Sequence, residues 1–231
     1  MLPVESGTAM KLDPFLLHEW LSRSAERYAS KDALVCGQDR WSYQRLDRAA
    51  DSFSTSLVDL GVQRGDRVVV LLGNCPETIV CLFGILRAGA AFVLLESNTK
   101  SRRLGHVLQD SGARVLVARR SQAPVLADTL RGLDTDLKIL WIDGGPSAPV
   151  ATGVSNVSWP SLRPLWGDGE DTRPRGARDG FPRGIDLDLA AIIYTSATTG
   201  KAKGVMCTHQ NMIAAAKSIM EYIGNSQDDV I

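Results

Sequence analysis

Along residues 14–29, PFLLHEWLSRSAERYA, apolar side chains return every three to four positions, the spacing of one face of an amphipathic helix. ALVCG and RWSY, on either side of a GQDR turn, predict two short strands paired as a hairpin. SYQRLDRAADSFSTSLVDLG returns to helical spacing, with Ser42 placed to cap its start and Gly61 to stop it. From Asp66 the pattern changes. DRVVVLL, AFVLLE, RVLVA and KILWID are apolar without alternation, and between them lie three helical stretches. These are PETIVCLFGILRAG, opened by Pro76 and closed by Gly89, then KSRRLGHVLQDSG, then APVLADTLRGL. Strands apolar on both faces, alternating with helices, predict an α/β fold: a doubly wound, mostly parallel sheet with helices on both faces.

The rhythm stops at Gly144. From there to Asp188 the chain is dense in Gly and Pro, and GDGEDTRPRGARDGFPRG mixes both signs of charge, which predicts a long loop rather than packed structure. Trp159 and Trp166 are expected to pin it locally. Order is expected to return with DLAAIIYTS as a strand, a short loop, and THQNMIAAAKSIMEYIG as a helix stopped at Gly224. The expected organisation is therefore a leader over 1–11, an α/β subdomain over 12–143, the Gly/Pro-rich loop over 144–188, and a strand–loop–helix unit over 189–231. Because only NSQDDVI follows that helix, the alternation is expected to be interrupted rather than finished.

Charge narrows the partners. Lys plus Arg and Asp plus Glu both number 26, so neither a nucleic acid nor an anionic membrane surface is favoured. The longest apolar stretch, TIVCLFGILRAGAAFVLL, is broken by Arg87, and no membrane span is expected. The first residues show no secretory pattern. Cys36, Cys75, Cys81 and Cys207 have neither CxxC nor metal-ligand spacing, which points to reduced thiols and a cytoplasmic setting.

Candidate chemistry is concentrated in YTSATTGKAKGV, residues 194–205, directly after an apolar strand. A strand that opens into a small-residue loop and then a helix is a geometry in which backbone N–H groups face an anion. Ser196, Thr198 and Thr199 add hydroxyls, and Lys203 adds a point charge suited to phosphate. The Walker A pattern fails here: aligned on Gly200 and Lys201, it would need a glycine at Thr195 and a hydroxyl at Ala202. No GxGxxG is present, which argues against a dinucleotide site.

YTSATTGKAKGVMCTHQN resembles the signature of the adenylate-forming enzymes, which comprise acyl-CoA synthetases, luciferases and peptide-synthetase adenylation domains. That signature is [YF]TSGTTGxPKGV followed by THxN. Tyr194, Thr195, Ser196, Thr198, Thr199, Gly200, Lys203, Gly204, Val205, Thr208, His209 and Asn211 fall on it. Residues 41–118, including GVQRGDRV and GILRAGA, are similar to the family's N-terminal subdomain, and ESNTKSRRLGHVLQDSGARVLVA is more like acyl-CoA ligases than peptide synthetases, which carry PLDPxxP there.

The resemblance implies two steps. A carboxylic acid attacks the α-phosphate of Mg2+-ATP to give an acyl-adenylate and pyrophosphate, and the thiol of CoA or a carrier then takes the acyl group. It implies ATP or pyrophosphate binding by Thr195, Ser196, Ala197, Thr198, Thr199, Gly200, Lys203 and Gly204, with His209 facing the active site or packing the helix start. Ala197 and Ala202 stand where the signature has glycine and proline. The first adds a β-carbon near the phosphate, and the second leaves the backbone less restricted. The family's adenine, ribose and Mg2+ residues and its mobile-domain lysine lie downstream of this loop, so no catalytic residue and no metal ligand is assigned here. The alternatives are a non-catalytic nucleotide-binding paralogue and a fragment of a peptide-synthetase adenylation domain. As this 231-residue segment, the chain is expected to be inactive.

Other candidates read more simply. Lys201 is expected to be a surface charge, and His18 and His106 structural residues of helices. Cys207 has no identifiable base, and Asp186 with Asp188 is expected to be a solvated strand start rather than a metal site.

Overall fold

The computed structural model describes residues 14–131, 133, 135–144, 150, 154–158, 184–195 and 202–226. Helix α1 (Leu17–Arg27) leads into a hairpin of β1 (Asp32–Cys36) and β2 (Asp39–Ser42), followed by α2 (Tyr43–Asp59). The main alternation is β3 (Arg67–Leu71), α3 (Pro76–Arg87), β4 (Ala91–Leu95), α4 (Ser101–Ser111), β5 (Val115–Ala118), a 3-10 turn (Arg120–Gln122), α5 (Ala123–Leu130) and β6 (Lys138–Trp141). Then come β7 (Ser155–Ser158), β8 (Leu189–Thr195), β9 (Lys203–Thr208) and α6 (His209–Ile223).

Seven strands form one sheet in the order β7-β6-β5-β3-β4-β8-β9, and every neighbouring pair is parallel except β8–β9. The mostly parallel α/β sheet expected from the apolar runs is present. Its strands serve two cores at once. Val68 and Val70 of β3 face a cluster with α2 and α3 that includes Phe53, Leu57, Val80 and Ile85. Val69 and Leu71 face the other, with Leu104, Val107 and Leu108 of α4 and Leu126 and Leu130 of α5. Each fully buried side chain of this kind contributes about 1.5–3 kcal/mol relative to exposure, which is why alternation vanishes from these strands.

The helix ends follow their local chemistry. Ser42 Oγ accepts the Arg45 N–H at 3.2 Å and caps α2. Gly112, at φ +59°, closes α4 in the left-handed region, and the Arg67 guanidinium donates to the Ser111 and Gly112 carbonyls over it. The charge that breaks the apolar run of α3 is internal. Arg87, 6% exposed, binds the Asp47 carboxylate and carbonyl, the Asp51 carboxylate and Ser22 Oγ, and so joins α1, α2 and α3.

Two strands depart from the expectations. Within the predicted loop of 144–188, Ser155–Ser158 pairs in parallel with β6 as an edge strand, although SNVS has no apolar run. Trp159 and Trp166 lie outside the described residues, as does the leader over 1–11. More consequentially, Lys203–Thr208 is a strand and not part of a loop running into a helix. It is the outer strand of its side of the sheet, with Val205 and Met206 exposed, and α6 behind it also exposes Ile219, Met220, Tyr222 and Ile223.

Candidate functional site

Strand β8 runs parallel to β4, so its carboxyl end lies on the sheet edge where ligands of open α/β proteins bind. There the chain turns back. Thr195 and Lys203 form the last pair of the β8–β9 ladder, both exposed, and the seven residues 196–202 connect them. Ser196, Ala197, Thr198, Thr199, Gly200 and Lys201 lie outside the described residues. Thr195, Lys203 and Gly204, the other proposed phosphate contacts, stand together at the mouth of the hairpin.

The two stems are tied to α4. Tyr194, 8% exposed, donates its hydroxyl to Asp110 at 2.6 Å, and burial together with that carboxylate pushes its phenol well above the usual range. Arg103 Nη2 reaches the Tyr194 carbonyl at 3.4 Å. On the other stem, His106 Nε2 donates to the Ala202 carbonyl at 2.9 Å, and the same ring meets Tyr194 edge-on. Ala202 itself packs against the α4/α5 core.

The second strand corrects the expected strand–loop–helix geometry. Helix α6 begins only at His209, after β9 has returned along the full length of β8, with Thr208 opposite Leu189. Six strand steps separate that end from Thr195, about 20 Å. The N-terminus of α6 is therefore at the opposite edge of the sheet from the loop. Thr208 caps it, its hydroxyl accepting the Asn211 N–H while the Asn211 side chain accepts the Thr208 N–H.

His209 belongs to this far end. It is 4% exposed, its Nδ1 accepts the Leu17 N–H at 3.0 Å, and its ring packs edge-on against His18. Burial holds its pKa below the ordinary value, partly offset by Asp188, Glu19 and Asp186. Asp188 is tied by two hydrogen bonds to Arg64, which hold its carboxyl below the usual range despite some burial. Asp186 accepts the Gln210 N–H through its carbonyl. The pair of aspartates thus fastens the start of β8 to its neighbours. Among the described residues, no group of three His, Cys, Asp or Glu could hold a metal ion. Cys207 is half-buried on β9 against the α2/α3 core.

The topological switch point of the sheet lies between β3 and β5, whose following helices go to opposite faces. Its own side chains fill it. Arg119 binds Glu77 at 2.8 Å and approaches Cys75 Sγ at 3.7 Å, and Gln122 Nε2 donates to the Leu71 and Ser97 carbonyls. Burial raises the Glu77 pKa, but its own backbone N–H and Arg119 outweigh that and leave it lowered. This crevice is a structural junction, and the hairpin mouth is the stronger candidate.

The sequence model of the AMP-binding enzyme family matches residues 21–231. The chain belongs to the AMP-binding enzyme family. Among curated relatives, crotonobetaine/carnitine–CoA ligase of Citrobacter koseri is 30% identical over 211 residues, covering 89% of the chain and 39% of the ligase. Bacitracin synthase 3 of Bacillus licheniformis is 30% identical over 215 residues, covering 93% of the chain and 3% of the synthase. The solved complex of VinN with 3-methylaspartate is 32% identical with a TM-score of 0.69, covering 93% of this chain and 53% of that one. The N-terminal subdomain of Klebsiella oxytoca NpsA, at 21% identity and a TM-score of 0.60, shares the fold. The chain thus spans about half of the solved chain and less of the curated relatives. Among the described residues, no helix is long and apolar enough to cross a membrane.

Proposed function

We propose that the chain is the N-terminal portion of an ATP-dependent carboxylate ligase of the acyl-CoA synthetase type, working in the cytoplasm. The observation that carries this reading is the YTSATTGKAKGV sequence, whose described ends Thr195 and Lys203 pair at the carboxyl edge of the sheet. In the first step a carboxylate oxygen bonds to the α-phosphorus of ATP, and the bond to the β-phosphate oxygen breaks, releasing pyrophosphate. In the second, a thiol of CoA bonds to the acyl carbon, loses its proton, and AMP leaves.

The chain's own part concerns the leaving group. The hydroxyls of Thr195, Ser196, Thr198 and Thr199, the amides from Ala197 to Gly200 and of Gly204, and the Lys203 ammonium are the groups proposed to hold the β- and γ-phosphates. Neutral donors and one cation stabilise charge as it develops on pyrophosphate without forming a bond to it. The same donor set suits the phosphates, and it contains no carboxylate that would anchor Mg2+. The nearby Asp110 carboxylate is engaged by Tyr194, so no described residue is assigned to the metal.

A second reading, an amino-acid-activating domain of a peptide synthetase, is favoured by the equal identity to bacitracin synthase 3. Calorimetric titration of the chain with ATP and with inorganic pyrophosphate tests the shared step. Lys203→Ala is expected to weaken both by about tenfold, and Lys201→Ala by less than about twofold. Equal effects of the two lysines would reduce the loop to unspecific charge attraction, and absence of binding would remove the nucleotide reading.

A further inference from the structure

We propose that His106, with Arg103 and Asp110, forms a positioning stripe on α4 that sets the mouth of the phosphate loop. The three residues are spaced i, i+3 and i+7 and so share one helical face. Leu104, Val107 and Leu108 bury the adjoining face of the same helix in the sheet, so the stripe stands on a fixed base.

Its contacts fall on both sides of the loop. Arg103 and Asp110 hold Tyr194, two residues before Ser196, through its carbonyl and hydroxyl. His106 holds the carbonyl of Ala202, the first described residue after the loop. A carbonyl only accepts, so the His106 Nε2 carries the proton. In a trans peptide the C=O and the following N–H point in opposite directions. Fixing the Ala202 carbonyl toward α4 therefore fixes the Lys203 N–H away from it, and with it the start of the residue proposed to meet phosphate. Alanine at 202 leaves φ less restricted than a proline ring would, and the His106 bond acts beside it, fixing the 202–203 peptide plane from 96 positions away. A ligand-holding group needs support of this kind to keep its geometry.

The inference rests on the nucleotide reading for its ligand arm only, and the test separates the two. Backbone hydrogen exchange over 190–206 is measured on the 231-residue chain without nucleotide, and pyrophosphate affinity by calorimetry, for the wild type, His106→Phe and His106→Gln. Phe keeps the ring volume and loses the donor, and Gln keeps a donor on a flexible chain. His106→Phe is expected to speed exchange at the stems by about fivefold and to weaken pyrophosphate by a similar factor, and His106→Gln to bring both within about twofold of wild type. Should His106→Phe fail to fold, Tyr194→Phe, which removes the hydroxyl held by Asp110, is expected to speed exchange at the entering stem. Phe behaving as wild type, or Gln behaving as Phe, would overturn the proposal. A wild type that binds no pyrophosphate refutes the nucleotide reading, and the exchange measurement then decides the positioning role alone.

Discussion

Tyr194 and Gly204 stand opposite each other across the β8–β9 ladder, and the tyrosine ring occupies the space that a side chain at 204 would need. A β-carbon there would lie 3.1 Å from Tyr194 Cζ and 2.7 Å from Ile192 Cγ2. The ring cannot yield cheaply, because its hydroxyl is held by Asp110. Gly204→Ala is therefore expected to destabilise the chain by about 1–3 kcal/mol, through overpacking rather than through any loss of ligand contact. The midpoint of urea unfolding checks this, and an unchanged midpoint would show that the hairpin opens to admit the methyl group.

The Arg87 junction makes a sharper prediction. Asp47→Ala leaves the buried Arg87 with the partly exposed Asp51 as its remaining carboxylate partner, and is expected to cost about 1.5–3 kcal/mol. Replacing both, as Asp47→Leu with Arg87→Met, removes the under-paired buried charge and is expected to recover much of that loss. Equilibrium denaturation of the single and double variants measures the coupling. Additive losses would mean that the two groups do not act as a pair.

At the other edge of the sheet, His209 should make stability depend on pH. Its folded pKa is lowered by burial, from an ordinary 6.5, while Asp188, Glu19 and Asp186 pull the other way and His18 packs against the ring. The unfolded chain therefore binds the proton more readily. The stabilisation is fully present above the unfolded value and is lost as pH falls below it toward the folded pKa. Protonation of Nδ1 would also remove the acceptor for the Leu17 N–H. Thermal unfolding between pH 7.5 and pH 5 is expected to show this slope, and His209→Gln, which still offers an acceptor oxygen, is expected to flatten it. An equal slope in both proteins would assign the dependence to other groups.

The parts of the fold that were legible are those in which burial forces composition. Strands β3 to β6 are covered on both faces, so Val68 and Val69 must both be apolar though they point opposite ways. The positions of Ser42, Gly89 and Gly224 are local consequences of capping and of positive φ, and local rules read them. Strand β9 obeys no such rule. Its first four residues, 203–206, are exposed, it opens on Lys203 and Gly204, and its identity as a strand comes from pairing with β8. Missing it placed a helix N-terminus beside the loop that the fold carries to the opposite edge. Long-range ties were equally invisible: nothing near Arg87 announces Asp47, and nothing near His106 announces Ala202.

Among the described residues no strand pairs with the outer flank of β9, and this has a practical side. Its outward row of amides and carbonyls, with Val205 and Met206 exposed and Tyr222 of α6 90% exposed, is adhesive toward any extended peptide, including another copy of itself. Preparations of this chain will therefore change with concentration, clear when dilute and clumping as they are made denser, and a single lysine in place of Met206 will keep them clear.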